Sequence, residues 1–128
     1  MGIKTKGNMI EEDYVSFEVA KLLKENGFDE PCFRYAESRE IYESGAWMVA
    51  NVTGGAVGIP TLQMAMKWLR EVHNLHIDVD PSEGNWNPTV LELEDWTCAV
   101  KFGDNIPIQD SYEQACEAAI KYCLENLI

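Results

Sequence analysis

Two histidines and two aspartates crowd into His73-Asn74-Leu75-His76-Ile77-Asp78-Val79-Asp80, and imidazole and carboxylate are ligand types for a divalent metal. His73 falls in the last turn of a predicted helix, where the helix dipole favours a cation. His76 falls on the solvent face of the strand predicted to follow. The best ligand pair is therefore His76 with Asp78, two positions apart on one strand face. Ligand types without a closed geometry are a weak signal for a metal centre.

Just upstream, Thr53-Gly54-Gly55-Ala56-Val57-Gly58 lies between an apolar, β-compatible run (residues 46–52) and a helix predicted from Thr61 to His73. Strand, glycine loop, helix, and then a strand carrying Asp78 and Asp80 is the outline of a dinucleotide site. The details depart from it. The 53–58 loop is not G-x-G-x-x-G, no G-K-[ST] follows, and Pro60 interrupts the helix start that would receive a pyrophosphate. A small nucleotide- or metal-dependent enzyme, using the 53–58 loop or His76 with Asp78, is thus the alternative reading.

Other catalytic patterns are weaker still. None of the five serines sits in a G-x-S-x-G elbow. Glu92 with Glu94, and the run Glu11-Glu12-Asp13, have the character of solvated faces. The four cysteines (Cys32, Cys98, Cys116, Cys123) contain no C-x-x-C pair and are expected to be reduced and packed. Cys116 and Cys123 lie seven apart on a predicted helix, about 10 Å along its axis, too far for a disulfide. No catalytic residue, cofactor or metal ligand is assigned.

Contact chemistry fits the composition better. The chain has 128 residues, with 10 Lys plus Arg against 22 Asp plus Glu, a net charge of −12. Phosphate backbones and anionic lipid repel such a chain, so no direct nucleic-acid or membrane binding is expected. An acidic surface keeps a small domain dispersed, but it also suits a basic protein partner, even as a nucleic-acid mimic. Trp86, in Glu83-Gly84-Asn85-Trp86-Asn87-Pro88, either caps the core or anchors a partner. Glu113 and Glu117, with Lys121, line the outer face of the last predicted helix. Trp86, Glu113 and Glu117 are the candidate contact residues.

These residues need elements to carry them. Ser16 is an N-cap for a helix that Gly27 ends. Cys32–Tyr35 reads as a short strand, and residues 37–45 as polar and aperiodic. Leu62, Ala65, Leu69 and Val72 form the stripe of the second helix, with Met66 and Trp68 beside it and Asn74 as its left-handed stop. Leu75, Ile77 and Val79 alternate with His76, Asp78 and Asp80 as a half-buried strand. Residues 81–85 supply turn chemistry, and strands follow near 89–94 and 97–102, Cys98, Val100 and Phe102 sharing a face. The last helix opens with two overlapping capping boxes, Asp110…Glu113 and Ser111…Gln114, and carries a core stripe of Tyr112, Cys116, Ala119, Cys123 and Leu127. The expected fold is α+β: a single domain over 1–128, about three helices on a small antiparallel sheet, with 1–12 the segment open to disorder. The N-terminus lacks the apolar stretch of a secretory signal, so a cytoplasmic setting is expected.

Three blocks in fixed order carry a resemblance: Val15-Ser16-Phe17-Glu18 through Gly27-Phe28, then Pro60-Thr61-Leu62-Gln63 with Lys67 through Ile77, then Ser111-Tyr112-Glu113-Gln114-Ala115. The chain resembles uncharacterised short proteins of Bacteroides-type gut bacteria and their phages or prophages. The resemblance implies mobile-element ancestry and a cytoplasmic setting, and it brings no activity, cofactor or catalytic residue. The expectation is a small non-enzymatic accessory protein acting through protein–protein contact.

Overall fold

A computed structural model of the chain describes residues 10–48, 55–100 and 106–128, with the backbone alone for 44–48 and 100. The expected disorder of 1–12 falls mostly outside these residues. Helix α1 is Phe17–Glu25, followed by strands β1 (Cys32–Glu37), β2 (Glu40–Met48) and β3 (Val57–Ile59). Helix α2 is Leu62–His73, then come β4 (Leu75–Ser82), β5 (Asn85–Glu92), β6 (Thr97–Val100) and helix α3 (Tyr112–Tyr122), prolonged by a π-helical turn, Cys123–Leu127. The fold is single-domain α+β, but its strands form two antiparallel three-stranded sheets, β2-β1-β3 and β4-β5-β6, where one small sheet was expected. Helix α2 separates the two sets of strands in the chain.

The helix ends follow from local chemistry. Ser16, Thr61 and Ser111 each sit in extended backbone, and their hydroxyls accept from the N–H of Val19, Met64 and Gln114 at 3.2, 3.1 and 3.1 Å. Of the two overlapping boxes, Ser111…Gln114 therefore supplies the cap. At the end of α1, Gly27 takes φ +95°, with Phe28 N–H donating to Leu23 O and Gly27 N–H to Lys24 O. That is a Schellman ending, which folds Phe28 back into the core. Asn74 ends α2 at φ 57°, ψ 32°.

The polar stretch 37–45, unassigned from sequence, forms the β1–β2 hairpin. Ser38 and Arg39 turn it with φ of 51° and 69°, both left-handed, without the Asn-Gly that usually announces such a turn. The apolar run 46–52 enters β2 only as far as Met48; the rest lies outside the described residues. Glu83 and Gly84, at φ 49° and 85°, make an equally tight turn between β4 and β5, so both strands extend into the expected 81–85 turn. Pro81 is tolerated because β4 is an edge strand. Pro88 is in central β5, but among the described residues β6 pairs only with Val90–Glu92.

One contiguous core joins these layers through Val19, Leu23, Phe28, Ile59, Leu69, Leu75, Val90, Cys116 and Ile120, among others. Helices α2 and α3 cover the β4–β5 sheet, and α1 packs on β3 and α3. The segment before α1 pairs beside the entry to α2: Val15 N–H donates to Pro60 O, and Leu62 N–H to Asp13 O. Two stripe assignments change. Val72 is 56% exposed, and His73 instead turns its ring edge-on to Trp68 at 4.8 Å. In α3 the buried set is Ala115, Cys116, Ala119 and Ile120, leaving Tyr112 and Leu127 half-buried.

Candidate functional site

The structure keeps His76 and Asp78 on one strand face but sets His73 apart. His76 and Asp78 share the outer face of β4 with Asp80, opposite Leu91, Thr89 and Asn87 of β5. His73 is engaged with Trp68 on α2. Among the described residues, no three His, Cys, Asp or Glu side chains converge as metal ligands would.

The glycine cluster is also not the expected loop. Thr53 and Gly54 lie outside the described residues, Gly55 is in an exposed turn, and Val57-Gly58-Ile59 is strand β3, with Gly58 paired to Tyr35. The apolar residues on either side of Gly58 are what draw this segment into the sheet: Val57 and Ile59 are both buried. Pro60 and Thr61 then intervene before α2, and the Thr61 hydroxyl takes up the N–H of Met64. A phosphate cradle needs those first-turn N–H groups turned toward a glycine loop.

None of the four cysteines is in a disulfide; Cys32, Cys116 and Cys123 are buried and Cys98 is exposed. Cys98 pairs with Leu91 on the face of the sheet opposite Val90, and β6 is an edge strand, so the expected packing of this residue fails. Burial pushes the Cys32 thiol up to about 11, with Glu30 adding to the effect, and the Cys123 thiol up to about 12. Burial raises Cys116 as well. Thiols so protonated are poor nucleophiles at neutral pH.

The contact candidates separate by environment. Trp86 is half-buried, edge-on to Tyr112 at 5.6 Å, and its backbone exchanges two hydrogen bonds with Gln109. It caps the packing of α3 on β5. Glu113 is exposed. Glu117 is not an open acidic face, because both its oxygens lie 3.1 Å from the N–H donor of Ser16. Lys121 does not pair with Glu117 as its spacing suggests; its Nζ meets Glu18 Oε1 at 2.9 Å, which raises the lysine pKa.

Sequence reasoning passed over Trp96. It is 78% exposed, the last residue of the β5–β6 turn, with φ +60°. The turn is braced on both sides: Leu93 N–H donates to Asn74 O at 2.8 Å, and Thr97 Oγ1 donates to Asp95 Oδ1 at 2.7 Å. The signal available beforehand was a lone tryptophan inside the polar run Glu94-Asp95-Trp96-Thr97.

Two concavities bear on binding among the described residues. A groove of about 420 Å³ is lined by Glu30, Pro31, Met64, Lys67, Trp68, Glu71 and Val72. A wider, polar hollow of about 640 Å³ gathers Glu11, Glu12, Asp13 and Glu43 around Arg34. There Arg34 pairs with Glu43 at 2.7 Å and stacks 3.7 Å over the Tyr14 ring, so its charge is already answered. No helix among the described residues is long and apolar enough to cross a membrane. No family model, curated protein or solved structure matches the chain.

Proposed function

We propose that the chain is a non-enzymatic accessory protein, of the phage or prophage type that the resemblance implies, acting by contact with another protein at the Trp96 turn. One observation carries this reading: a tryptophan largely in solvent, in left-handed backbone, on a turn braced by Asn74 and Asp95. Left-handed backbone costs about 1–2 kcal/mol for a residue with a Cβ. An exposed ring returns nothing to the fold in exchange, and retained strain of this kind concentrates at functional positions. Tryptophan is also the side chain most enriched at energetic centres of interfaces. Glu94 and Asp95 flank it, so the surface that receives the ring is expected to be basic at its rim.

Direct DNA or RNA binding is no part of this reading, because a net charge of −12 lacks the counterion-release attraction of nucleic-acid binders. The test is affinity capture from an extract of the encoding bacterium, with wild type and Trp96→Ala side by side. A protein retained by wild type, lost with Trp96→Ala and weakened by salt supports the reading. Equal retention by both baits rejects it.

A further inference from the structure

Helix α2 has a second apolar line that borders its core face and is only partly taken up by the core. Its core face runs through Leu62, Ala65, Met66 and Leu69. Met64, Trp68 and Val72 recur every four residues beside it, a line about 12 Å long at 1.5 Å rise per residue. Trp68 serves both sides: it is 7% exposed and packs edge-on against Phe28 and His73, yet it also floors the outer groove. Pro31, from the connection between α1 and β1, closes the groove opposite the helix. Val72, more than half exposed in the last turn, is the open end of the line.

We propose that this groove is a docking site for a cationic amphipathic helix from a partner protein. Charge decides the occupant. Glu30 and Glu71 line the groove with Lys67, and among the described residues no ion pair holds any of the three. A second copy of this chain would bring another net −12 and set the same excess of lining carboxylates against its own kind. A helix with leucine-like residues at i and i+4, and Lys or Arg beside them, fills the floor and meets Glu30 and Glu71. The long-range field of the acidic chain also steers such a segment inward. Trp96 does not line this groove, so the proposal stands or falls separately from the Trp96 turn.

The experiment is a fluorescence-anisotropy titration with a labelled helical peptide of leucine and lysine, leucines recurring at i, i+4 and i+8. Its counterpart has glutamate in place of every lysine. Wild type is expected to bind the lysine peptide and ignore the glutamate one. Val72→Glu is expected to weaken binding at least tenfold, although it makes the protein more negative. Its exposed position leaves the fold intact, which a thermal melt confirms. Glu30→Lys with Glu71→Lys is expected to weaken binding and flatten its salt dependence, while Trp96→Ala leaves it unchanged. Equal or tighter binding to Val72→Glu would show attraction by net charge alone and overturn the proposal. So would equal binding of the glutamate peptide, or a wild-type dimer in sedimentation that Val72→Glu dissociates.

Discussion

Both carboxylate oxygens of Glu117 on α3 lie 3.1 Å from the backbone N–H of Ser16, the N-cap of α1, across 101 positions of sequence. A capping box satisfies that N–H with a Glu or Gln three residues after the cap. Here the third residue is Val19, whose side chain is buried in the core, so it has no acceptor to offer. Glu117 supplies the missing half of the box from another helix. The neighbouring Lys121–Glu18 pair crosses the same helix contact. An outward-looking acidic row on α3 is thereby turned into the seam between the first and last helices.

Glu117→Ala is expected to lower stability by about 1 kcal/mol, the usual worth of a cap interaction. Glu113→Ala, one turn earlier on the exposed face, is expected to change it by less than about 0.5 kcal/mol. Urea unfolding of the two variants makes the comparison. Equal midpoints would mean that the Glu117 contact contributes nothing in solution.

Asn87 is only 2% exposed, and neither the nitrogen nor the oxygen of its amide makes a hydrogen bond among the described residues. Burying an unpaired amide costs about 1–3 kcal/mol in mutational series, and replacing it by an apolar group of similar shape removes that cost. Asn87→Leu is therefore expected to stabilise the protein by about 1 kcal/mol. A loss of that size in a thermal melt would show instead that the amide is hydrogen-bonded in solution.

Trp96→Gly separates backbone strain from the role of the ring. Glycine relieves the left-handed cost of about 1–2 kcal/mol, offset by about 0.5–1 kcal/mol of extra chain entropy in the unfolded state. The net expectation is a modest gain in melting temperature together with lost partner binding. A marked fall in melting temperature would assign the indole a structural role.

Much of the helical part of this fold was legible because helix ends are written locally. Ser16, Thr61, Ser111, Gly27 and Asn74 act within a few residues of themselves, and each ends or begins its helix as its chemistry demands. The β1–β2 hairpin was hidden because Ser38-Arg39 is forced into left-handed backbone by its strands and not by its own preference. The division into two sheets was hidden too, since alternation says which face a strand buries but not which strands it pairs with. Glu117 changed role, and Trp96 was passed over, for the same reason. An exposed-looking helix position and a core-looking aromatic are decided by what packs beside them, and that is settled between elements distant in sequence. The aromatic singled out beforehand, Trp86, lies against Tyr112, while Trp96 faces solvent.

The buried thiols make a joint prediction about alkaline pH and labelling. Cys32 rises from 9.0 to about 11 and Cys123 from 9.0 to about 12, both chiefly through burial. A folded-state pKa above the unfolded one means that the unfolded chain releases its proton first as pH rises. Stability from these groups is therefore complete below pH 9 and is lost progressively as pH climbs from 9 toward 11 and 12. Urea midpoints are expected to fall over that window, and Cys32→Ala with Cys123→Ala is expected to flatten the fall while lowering stability at neutral pH through lost packing. In native protein near neutral pH, a thiol reagent should modify the exposed Cys98 quickly, whereas Cys32, Cys116 and Cys123 should react only as the protein unfolds. Rapid modification of all four in the native state, or an alkaline fall unaltered in the double variant, would remove burial of these thiols as its cause.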